Sequence, residues 1–212
     1  MTDESIGLNE AYSVQSPEDN KKLYDKWAKT YESEFVNVKK YRYPKAIAEL
    51  FHEKIPEVES LVDIGTGTGL VGLYLSKLRP KLTIDGIDIS PAMLEEARSK
   101  NVYRNLFERD LTKEVTDTAA PYDALISSGT FTHGHLGPEA ILNLLPLVKV
   151  NGYFVIGANN EHFEAKHFKA FIESLHGAEK ISTPVFQKIQ VYEEGSPHYG
   201  DRSVVTIFNK TA

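Results

Sequence analysis

Cysteine is absent from all 212 residues, which excludes disulfides, thiolate metal ligands and a thiol nucleophile together. Positive charge is in short supply as well, with 24 Lys plus Arg against 30 Asp plus Glu, a net charge of −6 and a pI near 5.7. A chain of that sign lacks the field that holds phosphate backbones or anionic lipid, so nucleic acid and membrane are not expected partners. Nowhere does an apolar run approach the roughly 18 residues of a membrane span, and the acidic opening Met1-Thr2-Asp3-Glu4-Ser5 is followed by no apolar core. A cytoplasmic protein is expected. Hydrophobic residues make up 41% and charged residues 25%, an ordinary globular composition in a length that favours one domain.

Residues 1–17 are polar and non-periodic and read as a mobile N-terminal arm. Over residues 18–35, Leu23, Trp27, Tyr31 and Phe35 recur at a spacing of four, which predicts a helix with its large side chains on one stripe. Residues 45–54 repeat the signal after Pro44, with Ala46, Ile47, Leu50 and Phe51. Residues 18–55 therefore form an expected helical lid segment ahead of a core spanning 56–212. In that core short apolar runs alternate with helical stretches. Strands are predicted at 61–64, 82–89, 106–109, 124–127 and 153–156, and helices at 70–78, 91–100, 138–148 and 161–175. Such alternation argues a mainly parallel sheet with helices on both faces, an α/β fold. The runs 185–192 and 203–208 are separated by too little chain for a crossover helix and should pair antiparallel.

The strongest chemical signal is Val62-Asp63-Ile64-Gly65-Thr66-Gly67-Thr68-Gly69-Leu70, a strand that runs into three glycines and then a helix. Glycine permits positive φ and removes the Cβ, so a ligand can lie against the turn. A dinucleotide fingerprint needs glycine at its sixth position, which here is Leu70, so an NAD-dependent oxidoreductase is disfavoured. Asp88 ends the second strand, where a carboxylate can accept both hydroxyls of a ribose. Ser90 is the expected cap of the helix that follows. Asp85, in the same strand, is read as an edge or solvent carboxylate. Asp110, after the third strand, is placed to accept from an adenine amino group.

Taken together, residues 62–69, 86–94 and 109–111 resemble class I S-adenosylmethionine-dependent methyltransferases, and the resemblance runs from Leu23 to the C-terminus. It implies a Rossmann-like three-layer sandwich whose seven-stranded, mostly parallel sheet is ordered 3-2-1-4-5-7-6 with the last strand antiparallel. It also implies S-adenosylmethionine as cofactor. Asp63, Gly65, Thr66, Gly67 and Gly69 would then hold the methionine portion, Asp88 the ribose, Ile89 and Met93 the adenine faces, and Asp110 with Leu111 its edge, with Ser127 also in the cofactor set. A narrower likeness lies in residues 23–32 and 129–136, which resemble the Williams-Beuren-region methyltransferase-like group. The Asn/Asp-Pro-Pro-Tyr/Phe signature of amino methyltransferases acting on adenine or amide nitrogen is replaced by Ser127-Ser128-Gly129-Thr130-Phe131. Those acceptors are disfavoured, and the missing cysteine removes the covalent route to a pyrimidine carbon.

Methyl transfer needs alignment and desolvation more than one strong catalytic group. Tyr24, Trp27 and Tyr31 read either as lid rings facing the cofactor cation or as core packing. His133 and His135 are the candidate bases, or loop histidines bonded to backbone. No metal site is expected, because His133, His135, His162 and His167 follow no ligand spacing. The basic run at residues 39–45 reads as a solvated face or a contact for an acidic small substrate. The expected protein is a monomer or weak homodimer that methylates a small-molecule oxygen or nitrogen. The alternative is a cofactor-binding regulatory protein without transferase activity.

Overall fold

A computed structural model describes residue 14 and residues 16–115 and 121–212. The expected arm at 1–17 lies outside the described residues except at positions 14, 16 and 17. Helix α1, Pro17–Thr30, begins where Ser16 accepts the Asp19 amide and Pro17 supplies a preset φ. A π-helical turn, Tyr31–Val36, and a short α2, Asn37–Lys39, prolong it, and α3, Tyr43–Lys54, follows. The chain then alternates: β1 Ser60–Ile64, α4 Leu70–Leu78, β2 Thr83–Asp88, α5 Pro91–Ser99, β3 Asn105–Glu108 and β4 Tyr122–Phe131. It closes with α6 Ala140–Leu144, β5 Val148–Asn159, α7 Asn160–Ala165, α8 Phe168–Gly177, β6 Val185–Gln190 and β7 Arg202–Asn209.

The seven strands order as β3-β2-β1-β4-β5-β7-β6. Strands β1 to β5 pair in parallel, and β7 runs antiparallel to both β5 and β6. The α/β class, the strand order and the terminal hairpin are all as expected. Alternate residues of the central strands feed two separate cores. Val62, Leu125, Phe154 and Ile156 join α6 and α8 on one face, while Leu61, Ile126 and Val155 join α3 and α4 on the other. Burial on both faces is why those strands read as continuous apolar runs.

Three local expectations are corrected. The helix predicted at 138–148 is α6 followed by a 3-10 turn, Leu145–Leu147, because Pro146 has no N–H to continue the ladder. Val148 already pairs with Tyr122 as the start of β5. The single helix predicted at 161–175 breaks at His167, whose φ of 54° is left-handed. Asp85 is no solvent carboxylate, because β3 covers that side of β2. It is fully buried and takes Arg104 Nε at 3.0 Å and Nη2 at 2.6 Å, the Asn105 amide at 2.9 Å and the Tyr122 hydroxyl at 2.9 Å. Burial alone would raise its pKa, but Arg104 and Tyr122 outweigh that and hold it low.

Candidate functional site

The C-terminal ends of the parallel strands form the rim of an α/β sheet at which ligands bind. A cavity of about 270 Å³ opens there. Its floor is the turn after β1, where Gly65 and Thr66 both donate their amides to the Ile87 carbonyl, at 2.8 and 3.1 Å. Gly65 has φ +67°, and a Cβ there would sit 1.8 Å from the Thr130 hydroxyl. Gly67 also has positive φ, +54°, but a Cβ there would meet nothing within 4 Å. One glycine is required by packing, and the other leaves room on the cavity side.

Asp88 ends β2 beside this turn. Its Oδ2 accepts the Gly67 amide at 2.8 Å and its Oδ1 the Ser90 amide at 2.9 Å, which aims the carboxylate along the cavity wall. Burial raises its pKa against those bonds. Ser90 caps α5 as expected, accepting the Met93 amide at 3.1 Å. Ile89, Met93, Asp110 and Leu111 line the same end of the cavity. Asp110 Oδ1 takes the amide and hydroxyl of Thr112, at 3.0 and 2.6 Å; burial would raise its pKa, but Thr112 and Lys113 together lower it.

Of the other candidates, Gly65, Thr66, Gly67, Tyr24, Trp27, Tyr31 and His135 line the cavity, while Asp63, Gly69, Ser127 and His133 do not. Asp63 lies behind the turn, fully buried, with its Oδ1 unpartnered. Burial raises its pKa to about 7, against the Tyr103 hydroxyl that donates to its Oδ2 at 2.7 Å. Gly69 faces Ala97 and the Tyr103 ring as the first residue before α4, and Ser127 donates to the Ile64 carbonyl at 2.9 Å. His133 stacks edge-on against His162, with ring centroids 5.2 Å apart, and is not among the residues that line the cavity. His135 instead packs against Tyr24, at 5.5 Å, with its Nε2 buried and unpartnered. Burial, helped by His162, lowers its pKa to about 4, so its ring is neutral at physiological pH. Among the described residues no group of three or more His, Cys, Asp or Glu side chains is placed to hold a metal ion.

Sequence reading missed two supporting residues. Asp25 of α1 takes the Ser90 hydroxyl at 2.6 Å, tying the N-terminal segment to α5. Tyr103 donates to Asp63 and accepts the Gly72 amide at 3.0 Å. A signal for the second existed: Gly72 sits inside a helix, and glycine there marks a close approach. A Cβ at Gly72 would lie 2.4 Å from the Tyr103 hydroxyl.

Residues 62–154 match the family model described as a methyltransferase domain. Human Methyltransferase-like protein 27 is 29% identical over 126 residues, which are 58% of this chain and 51% of that protein. The malonyl-[acyl-carrier protein] O-methyltransferase of Bacillus cereus is 26% identical over 63% of this chain and 50% of its own. The chain thus spans about half the length of these curated relatives. Among solved structures, the O-methyltransferase TomG from Streptomyces achromogenes, in complex with SAM, superposes with a TM-score of 0.59 at 15% identity, covering 96% of this chain and 94% of that one. A TehB-like SAM-dependent methyltransferase from Corynebacterium glutamicum gives 0.58 at 19% identity, covering 89% and 98%. Sheet order, glycine turn and strand-end acids define a class I methyltransferase architecture. Residues 62–154 thus match a methyltransferase domain, set in a fold shared with solved S-adenosylmethionine-dependent methyltransferases.

Proposed function

We propose that the chain transfers a methyl group from S-adenosylmethionine to the oxygen or nitrogen of a small-molecule acceptor. One observation carries this reading: Asp63 Oδ1, Thr68 Oγ1 and Ser128 Oγ are buried without partners, on or beside a glycine turn whose Gly67 leaves open space. Buried polar atoms are rarely left unpaired, so a polar ligand is the natural complement. When bound, S-adenosylmethionine supplies an electrophilic methyl on a sulfonium. The chain's own residues bind and orient it. Asp88 accepts the ribose hydroxyls, Ile89 and Met93 cover the adenine, Asp110 and Leu111 hold its edge, and Asp63 with the turn from Gly65 to Gly69 receives the methionine portion. Ser127 supports the turn from β4, while Tyr24, Trp27 and Tyr31 close over it from the lid segment at 18–55 and exclude water.

His135 rather than His133 faces the acceptor, as a neutral ring able to take a hydrogen bond. The malonyl-[acyl-carrier protein] O-methyltransferases and the O-methyltransferase TomG favour an oxygen acceptor by analogy. We take the protein to act as a monomer or weak homodimer in the cytoplasm, with no nucleic-acid or membrane partner. Among the described residues no helix is long and apolar enough to cross a membrane. Calorimetric titration with S-adenosylmethionine, S-adenosylhomocysteine and NAD tests the cofactor, and labelled methyl transfer into a metabolite pool tests turnover. Binding of NAD in place of the first two would sink the reading, and tight binding without any turnover would favour a regulatory binding protein.

A further inference from the structure

The cavity continues past the glycine turn toward β7, and there its wall is built of rings. Trp27 meets Tyr31 at 5.0 Å and Phe35 at 5.3 Å between centroids, Phe35 meets Tyr41 at 5.0 Å, and Tyr41 meets Tyr192 at 5.4 Å. All five residues line the cavity. The π turn at Tyr31–Val36 aligns them. In an α-helix of roughly 3.6 residues per turn, side chains four apart drift round the axis, and a wider turn with i→i+5 bonds reverses the drift. Phe35 is thereby returned to the stripe of Trp27.

The hydroxyls of Tyr43 and Ser203 on that wall are engaged with each other and with backbone. Ser203 donates to the Ala158 carbonyl at 2.8 Å, so the 2.5 Å contact between the Tyr43 hydroxyl and Ser203 Oγ is a donation from the tyrosine. The tyrosine oxygen in turn takes the Gly129 amide. Among the described residues lining the cavity, Arg109 is the single Lys or Arg, and it follows β3 at the opposite edge of the sheet. None of the cations of residues 39–45 lines the cavity, and three are engaged outside it: Lys40 with the Glu194 carbonyl, Arg42 and Lys45 with Glu49. Of the buried, unpartnered side-chain atoms on lining residues, Thr68 Oγ1 lies on the glycine turn and Trp27 Nε1 on the row of rings itself, which leaves Ser128 Oγ and His135 Nε2, on β4 and the loop after it.

Resting on the methyl-transfer reading above, we propose that the acceptor is a flat aromatic molecule without an anionic group, whose one polar handle is the hydroxyl or amine to be methylated. Its ring system stacks in the row from Trp27 to Tyr192, and its handle meets Ser128 and His135. In the transfer the handle's lone pair forms the new bond to carbon, the old carbon–sulfur pair stays on sulfur, and the handle's proton is released to water. A carboxylate or phosphate acceptor would lose its hydration against ring faces with no cation to replace it.

The test uses the full 212-residue chain. Calorimetry first measures S-adenosylhomocysteine, and the protein, loaded and free, is then titrated with 2-naphthol, 2-naphthoate and cyclohexylmethanol. 2-Naphthol should bind the loaded protein at least about tenfold more tightly than either of the others. Tyr41→Leu, which keeps bulk and removes the ring, should weaken 2-naphthol by about three- to tenfold while leaving S-adenosylhomocysteine within about twofold. Tyr41→Lys should shift the preference toward 2-naphthoate. Naphthoate binding as tightly as naphthol, naphthol binding to neither form, or an unchanged naphthol affinity in a folded Tyr41→Leu protein would overturn the proposal. Loss of S-adenosylhomocysteine binding alone, with naphthol still bound by the free protein, would strike the cofactor reading and leave the aromatic preference standing.

Discussion

The Tyr103 hydroxyl donates to Asp63 Oδ2 at 2.7 Å from a loop 40 residues further along the chain. The same oxygen accepts the Gly72 amide at 3.0 Å, so one side chain from the segment before β3 fixes both the carboxylate behind the glycine turn and the first turn of α4. Tyr103→Phe removes the donor and leaves two buried groups short of a partner. Stability should fall by about 1–3 kcal/mol. Because that hydrogen bond lowers the Asp63 pKa, its removal should raise the pKa further. Thermal melts and the pH dependence of cofactor affinity check both effects.

If Asp63 receives the methionine portion as proposed, cofactor affinity becomes pH-dependent. Burial raises its pKa to about 7, above the ordinary carboxylate value near 4 in an unfolded chain. The stability this group contributes is therefore fully present below about pH 4 and lost as pH rises through 7. Binding follows the opposite course, because the ammonium of a methionine portion needs the carboxylate charged. S-adenosylmethionine should bind about tenfold more weakly at pH 6 than at pH 8. Asp63→Asn should bind weakly at both, and a variant that keeps the slope would assign it to another group.

Removing Asp88 tests the ribose end. Asp88→Ala should weaken S-adenosylmethionine by about 1.5 to 3 kcal/mol, through loss of two charge-assisted hydrogen bonds. It also frees the Gly67 and Ser90 amides, so melting is measured alongside. Unchanged affinity in a folded variant would remove Asp88 from the site.

Much of the fold was legible because the strands that carry it are buried on both faces, and their apolar runs and glycine turn are local in sequence. Asp85 was misread for the opposite reason. Whether a mid-strand acid faces solvent depends on which strand lies beside it, and β3 arrives only through pairing 20 residues later. His133 and His135 look equivalent in sequence, yet Gly134 between them, at φ +75°, turns one toward His162 and the other toward Tyr24. The spacing of Trp27, Tyr31 and Phe35 allowed either a lid or a core. In the structure Trp27 is 1% exposed, packed in the core beside Tyr31 and Phe35, and it also lines the cavity.

Gly67 separates ligand binding from folding. A side chain there meets nothing within 4 Å, so Gly67→Val adds backbone strain from its positive φ, of order 1–3 kcal/mol, with no clash against protein atoms. Its methyl groups would occupy the cavity beside Asp88. A folded protein with cofactor binding abolished is the expected result, measured by melting and calorimetry on one sample. Ordinary affinity in that variant would show the turn to be only a connection.

Asp25 is one of the points that hold the N-terminal segment to the core, beside the ion pairs Lys21–Glu108 and Glu32–Lys100. Asp25 Oδ1 takes the Ser90 hydroxyl at 2.6 Å and the Ala92 amide at 3.4 Å, at the N-terminus of α5 where negative charge is favoured. Ser90 in turn holds Asp88 through its amide, so α1 and Asp88 share one hydrogen-bonded node. Asp25→Ala should cost about 1–2 kcal/mol of stability. If residues 18–55 act as a lid, the same change should speed cofactor release, because α1 loses its part-buried tie to α5 and keeps the exposed Lys21–Glu108 pair, while every cavity contact of Asp88 and the glycine turn stays in place. Stopped-flow displacement of S-adenosylhomocysteine reads the release rate, and Glu18→Ala is the control, since its pairing with Lys22 is exposed and worth little. Should Asp25→Ala melt earlier yet release cofactor at the parental rate, the segment is a structural cover and the lid reading fails.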